Sequence, residues 1–171
     1  MVFLSNTAFA GKNSAAAENA LQLIQEGRKF EKVANYVKSA EYYRIAAEQG
    51  NMVAENNLGI LYYRGKGVSK DYGTGLYWLK KSEAHGSANA AYSIGRIYEY
   101  GLGVAKNIDT AKLWYNKATA KGNTRAKKEL ERLQYIPSVE EKSTGYTGGY
   151  YNGGDDYIES GDSGDEDVVS G

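Results

Sequence analysis

No cysteine occurs in the 171 residues. That excludes disulfides, thiolate nucleophiles and Cys-ligated zinc or iron–sulfur sites. The one histidine, His85, cannot build a multi-histidine metal centre. No apolar run approaches the ~18 residues of a membrane-spanning helix. Proline occurs once, at Pro137, so nothing before it breaks helix in the way a ring-locked residue would. Charge of one sign is missing only in total: 21 basic residues face 21 acidic ones. Residues 1–138 hold 20 basic and 12 acidic residues, a net of +8, whereas residues 139–171 hold Lys142 against nine acids, a net of −8.

What is present is a repeat. Shifted by 36 residues, the chain matches itself. Ala54-Glu55-Asn56-Asn57-Leu58-Gly59-Ile60-Leu61-Tyr62 lies over Ala90-Ala91-Tyr92-Ser93-Ile94-Gly95-Arg96-Ile97-Tyr98. Gly65, Gly67, Val68, Trp78, Lys81 and Gly86 fall on Gly101, Gly103, Val104, Trp114, Lys117 and Gly122. A degenerate earlier copy begins at Ala17, where a shift of 37 aligns it with Ala54 and implies one extra residue in its middle loop; its second half from Ser39 is in the 36 register. A final half copy starts at Ala126. Within each copy, apolar residues recur at helical spacing twice, as in Ala54, Leu58, Leu61, Tyr62 and in Ala111, Trp114, Tyr115, Ala118. Each copy is therefore predicted to be two helices. Gly59 and Gly95 lie on the apolar stripe, where glycine costs about 1 kcal/mol against alanine; close approach of a neighbouring helix is the expected compensation. Gly65 and Gly101 end first helices, and Gly86 and Gly122 end second ones.

The run Ala-x3-Leu-Gly-x2-Tyr-x2-Gly-x-Gly-Val-x2-Asp from Ala54 to Asp71, followed by Trp78 and Gly86, resembles the Sel-one-like repeat family, a branch of the tetratricopeptide-like α-solenoids. The third copy keeps the run with Ile94 for Leu and Asn107 for Asp. The resemblance implies an all-α, right-handed solenoid of antiparallel helix pairs with an adaptor or scaffold role and no catalysis. About three repeats are expected, at 14–50, 53–86 and 89–122, with a capping helix over 124–135, all within a solenoid spanning 14–136.

Signals for chemistry are weak. Gly65-Lys66-Gly67 and Gly101-Leu102-Gly103 follow helices, not strands, so they read as turns and not as a dinucleotide loop. His85 precedes a helix-ending glycine and lacks the companions of a hydrolytic triad. The two Trp and the repeat Tyr residues read as core packing before an aromatic cage. Glu129 and Glu131, two apart, do not share a helix face. The chain is read as no enzyme, with no cofactor and no metal site. Lys80, Lys81, Lys112, Lys117, Lys121, Lys127 and Lys128 are scattered over several helices, which disfavours nucleic acid.

In helical-hairpin solenoids the first helix of each pair lines the inner surface. By that analogy Asn56, Ile60, Tyr63 and Arg64, then Tyr92, Arg96, Glu99 and Tyr100, then Lys128, Arg132 and Tyr135 should line a groove for a protein or peptide partner. The alternative of the same class is a toxin-neutralising (immunity-type) or cell-envelope adaptor. From another class, a nucleic-acid or polyanion binder is the alternative. Residues 137–171 have high net charge and no periodic stripe, so a disordered acidic tail is expected. Its Tyr146, Tyr150, Tyr151 and Tyr157 make it a candidate ligand for the chain's own groove. Residues 1–13 read as a possible remnant of a secretory signal, because Ala8-Phe9-Ala10 has a cleavage-site pattern. A periplasmic or secreted location follows, with a cytoplasmic one as the alternative.

Overall fold

A computed structural model describes residues 6–134, with side chains from residue 18 onward. Seven helices make up these residues, and no strand occurs among them. They are α1 (Asn6–Lys32), α2 (Tyr36–Glu48), α3 (Met52–Arg64), α4 (Tyr72–Ala84), α5 (Ala88–Tyr100), α6 (Ile108–Ala120) and α7 (Thr124–Gln134). Each packs on the next in the chain, and α3 also meets α5. The result is a helical solenoid of three helix pairs closed by a single helix. α1 begins at Asn6 and so includes residues on both sides of position 14, where the sequence predicts the solenoid to start. Residues 135–171 lie outside the described residues.

Helix starts are set by a second 36-residue ladder of polar side chains. Asn35, Asp71 and Asn107 cap α2, α4 and α6, each accepting a hydrogen bond from the backbone N–H three residues on. Asn51, Ser87 and Asn123 do the same for α3, α5 and α7, through the N–H groups of Ala54, Ala90 and Ala126. Each cap satisfies a donor that the helix cannot, and is worth about 1 kcal/mol. Gly65 and Gly101 close α3 and α5 in the left-handed region, at φ 64° and 69°.

The core is a chain of three clusters, each joining one helix pair to the first helix of the next, as expected of a stacked repeat. Ile24, Tyr43, Ala47, Ala54, Leu58 and Leu61 form the first. Ile60, Tyr63, Leu79, Ala90, Ile94 and Ile97 form the second, and Ala91, Tyr92, Ala111, Tyr115, Ala126 and Leu133 the third. Trp78 and Trp114 pack partly buried against them, each with a lysine ammonium (Lys81, Lys117) 4.9 Å from its ring centre.

Close approach at the stripe glycines is confirmed in all three pairs. A β-carbon on Gly95 would lie 2.6 Å from Cδ1 and Cε1 of Tyr115, and one on Gly59 would lie 2.9 Å from Cγ of Leu79. In the first pair the corresponding glycine is Gly27, whose β-carbon would meet Cε1 of Tyr43 at 2.6 Å. Tyr43, Leu79 and Tyr115 are spaced by 36, but Gly27 precedes Gly59 by only 32. The shift of 37 read from Ala17 is therefore wrong for this helix. The loop joining α1 and α2 is three residues, 33–35, against seven in 65–71. Without paired glycines to turn through, the chain reverses in one tight link, with Ala34 at φ 58°.

Candidate partner-binding face

With the register corrected, the first helices present equivalent stripes: Ile24, Arg28, Lys32 on α1; Asn56, Ile60, Arg64 on α3; Tyr92, Arg96, Tyr100 on α5; and Lys128, Arg132 on α7. Members of a stripe are four apart and share a helix face. The face is closed at its N-terminal level and open at its C-terminal level. Ile24, Asn56 and Tyr92 are buried, whereas Lys32, Tyr100, Lys128 and Arg132 are exposed and Arg28, Arg64 and Arg96 half-buried. Cations are favoured at helix C-termini by the macrodipole, about 0.3–1 kcal/mol each. Lys32, Arg64 and Arg132 lie in the last turns of α1, α3 and α7, whereas Arg28 and Arg96 lie one turn earlier.

Five of the expected groove residues are buried in this geometry and do not line an open groove. Asn56, Ile60 and Tyr63 are 3%, 1% and 4% exposed and face no partner. α3 is covered there by α4 and α5 together, so Ile60 and Tyr63 share one cluster with Leu79 of α4 and with Ile94 and Ile97 of α5. Asn56 donates a hydrogen bond to the Asn57 side chain inside the same interface. Tyr92 and Glu99 are also buried, but they support the face from beneath. Arg64, Arg96, Tyr100, Lys128 and Arg132 remain on it. Tyr135 lies outside the described residues.

The support is a connected set. The Arg96 guanidinium lies 5.9 Å from the ring centre of Tyr92 and 5.2 Å from that of Tyr100, and its Nη1 donates to the Tyr92 Oη at 3.5 Å. Two aromatic rings thus hold the cation in place. The Tyr92 ring tilts against Tyr115, centroids 5.7 Å apart. The Tyr115 hydroxyl donates to Oε2 of Glu99 at 2.6 Å, and Arg132 donates from Nη2 to Oε1 of the same carboxylate. Arg132 Nε also donates to Glu129 at 2.7 Å. Burial, together with the Glu99 hydrogen bond and charge, pushes the Tyr115 phenol well above its ordinary value. Burial alone would lower the Arg132 guanidinium, but its bonds to Glu129 and Glu99 more than offset that. Glu99 therefore ties α6 and α7 to α5 at one point and fixes the exposed end of the face.

The same device recurs at the other end, where the Tyr43 hydroxyl donates to Glu31 at 2.8 Å. The middle pair inverts it. Leu79 replaces the second-helix Tyr, and Tyr63 stands where Glu31 and Glu99 stand. Its ring takes the space left by Gly75, the position held by Ser39 and Ala111 in the flanking pairs.

Two carboxylate centres escaped the sequence reading. Glu55, fully buried, pairs with Lys81 Nζ at 3.3 Å and His85 Nδ1 at 2.7 Å, so His85 closes a helix end and also meets a buried acid. Glu83 pairs with Lys117 at 2.9 Å and Lys121 at 2.8 Å. Burial opposes ionisation of Glu83, but the hydrogen bonds and charges of Lys121 and Lys117 outweigh it and hold the carboxyl below its ordinary value. Lys81 and Lys117, and His85 and Lys121, are 36 apart. Their acids are not, since Glu55 lies on the first helix and Glu83 on the second. That mismatch hid the pairs from a period search. No group of three His, Asp or Glu able to hold a metal occurs among the described residues, and no described helix is long and apolar enough to cross a membrane.

A family model described as the Sel1 repeat matches residues 15–51, 53–87 and 88–123. A Sel1 repeat protein from Oxalobacter formigenes is 33% identical, with a TM-score of 0.57, over 73% of this chain and 98% of that one. A protective antigen of uropathogenic Escherichia coli strains that displays an SLR fold is 26% identical, with a TM-score of 0.64, over 77% of this chain and 29% of that one. Among curated proteins, none matches the sequence.

Proposed function

Because the chain belongs to the Sel1 repeat family, whose fold is commonly a protein–protein interaction scaffold, we propose that it is a non-catalytic adaptor that binds an acidic peptide segment of a partner protein on the arginine face. The observation that carries this is the Arg96 guanidinium between the Tyr92 and Tyr100 rings, with Arg132 fixed beside it by the buried Glu99. Arginine held in this way offers forked donors to a carboxylate with little further ordering to lose. Tyr100, 39% exposed, adds stiff apolar area at the same place, as binding hot spots do. A toxin-neutralising or cell-envelope adaptor is the narrower form of this role. The Ala8-Phe9-Ala10 pattern supports a periplasmic or secreted location; recovery from the cytoplasmic fraction alone refutes it.

The test is affinity capture with mass spectrometry, comparing the unaltered chain with Arg96→Gln and Tyr100→Ala. The partner should be retained by the first and lost from both variants, while circular dichroism stays helical. Equal retention by all three removes this face from the function.

A further inference from the structure

We propose that the arginine face is occupied in the resting protein by the acidic C-terminal segment of the same chain, residues 140–167. This rests on the reading of the face as a carboxylate-binding surface. Three observations on this molecule lead to it.

The first is charge. The face carries Arg28, Lys32, Arg64, Arg96, Lys128 and Arg132, one or two from every first helix. Of the acids beside them, Glu31 is engaged by Tyr43, Glu99 by Tyr115 and Arg132, and Glu129 by Arg132, so Arg132 is already matched by two carboxylates and the positive excess of the face comes from the other five cations. The segment from residue 139 carries nine acids against Lys142, and the rest of the chain is +8. The second is position. Gln134, the last described residue, lies two residues past Arg132 on α7, so the C-terminal segment starts beside the face. Glu140 and Glu141 follow within one or two turns' length of chain. The third is reach. Four first helices at about 10 Å spacing make a face roughly 30 Å across. The 37 residues after Gln134 have a contour of roughly 120 Å, which is ample to cross it.

Tethering decides the occupancy. A linked segment has an effective concentration near the millimolar range. Intrinsic binding as weak as about 0.1 mM would then keep the face roughly nine-tenths filled. Tyr146, Tyr150, Tyr151 and Tyr157 lie among the acids and offer the arginines the ring faces that Tyr92 and Tyr100 already offer Arg96. A partner must displace this segment, so its apparent affinity falls by the occupied fraction.

The absence of cysteine permits a direct test on the full chain. Ser163→Cys gives a single site for a nitroxide spin label. At about 0.01 M salt, where screening extends to about 30 Å, the label should broaden the backbone amides of Arg64, Arg96 and Tyr100. At about 1 M salt, where it falls to about 3 Å, the broadening should vanish. Arg64→Gln with Arg96→Gln should reduce it several-fold, and the salt series on the otherwise unaltered chain keeps the test independent of how that variant folds. No broadening at low salt, or broadening indifferent to salt, overturns the proposal. So does broadening of isotope-labelled, spin-free chains mixed with spin-labelled ones, which would place the segment on a second copy. A full chain whose nine tail acids are changed to Asn or Gln then receives a synthetic peptide of residues 145–171. Peptide binding there without broadening in the intact chain means that the face is a receptor but is not self-occupied. Binding in neither case removes both this proposal and the function on which it rests.

Discussion

Replacing Gly95 by alanine sets two physical effects against each other. Helix propensity favours the change by about 1 kcal/mol, because glycine gives up more backbone freedom than alanine. Packing opposes it. The new β-carbon would stand 2.6 Å from two carbons of the Tyr115 ring, where contact is comfortable at about 3.5–4.0 Å. The ring must retreat by about an ångström, and it has nowhere to go. Tyr115 is fully buried, its hydroxyl is held by Glu99 at 2.6 Å, and Tyr92 lies against it. Overpacking of this kind costs about 1–3 kcal/mol. A weakened hydrogen bond to the buried carboxylate adds about 1.5–3 kcal/mol. The expected net loss is about 2–4 kcal/mol, read as a fall of roughly 8–15 °C in the midpoint of thermal unfolding followed by circular dichroism. Gly95→Leu should lose more. In the double variant Gly95→Ala with Tyr115→Leu, which removes the ring that the new β-carbon would strike, the combined loss should be smaller than the sum of the single losses. A Gly95→Ala protein as stable as the unaltered one, or more so, refutes the close-contact argument outright.

The inverted middle pair predicts a second coupling. Gly75→Ala alone should destabilise by about 1–3 kcal/mol against the Tyr63 ring, but should be tolerated when Tyr63→Glu and Leu79→Tyr restore the pattern of the flanking pairs; urea unfolding of the single and triple variants decides it. Glu83 predicts an acid limb. Its folded-state value is depressed, so its contribution is present above the unfolded value of about 4.3 and is lost as pH falls through the folded one. The stability gap between the unaltered chain and Glu83→Gln should therefore shrink as pH drops below about 4.3, and a gap constant down to pH 3 contradicts the lysine pairing. Tyr43, Tyr63 and Tyr115 predict an alkaline limb. Their phenols are raised, burial being the largest cause, so their protonated forms stabilise the fold fully below about pH 10 and that contribution is lost as pH rises above it. Tyrosinate absorbance should appear in two phases, exposed rings near pH 10 and buried rings only as the helical signal collapses; a single phase near pH 10 with the helix intact contradicts their burial.

Paired Tyr–Glu contacts at the two ends, and a Tyr–Gly contact between them, show how one backbone repeat accepts two different interiors. In the outer pairs the second helix supplies the ring and the first supplies an acid. In the middle pair the first helix supplies the ring and the second makes room with glycine. At the third pair the acid also reaches Arg132. Packing inside the repeat thus sets which charges stand on its surface.

The amino-acid sequence by itself determined the features that recur in a local frame. Helix pairs follow from the 3.6-residue apolar stripes, their ends from Gly65, Gly101, Gly86 and Gly122, and the close approach at Gly95 from a glycine where helix interiors avoid one. These depend on residues within a few positions of one another, so a self-match at 36 reveals them. Only the tertiary structure decided the register of α1, because its Ala-rich start aligns with the next copy at 37 while its packing glycine aligns at 32. The same holds for the burial of Asn56, Ile60 and Tyr63. A helix stripe records which residues share a face, but whether that face meets water depends on what α4 and α5 place against α3. The partners of Glu55 and Glu83 also required the fold. A long lysine or histidine side chain takes whichever carboxylate the neighbouring helix brings within reach, and that choice crosses helices without keeping the period of the chain.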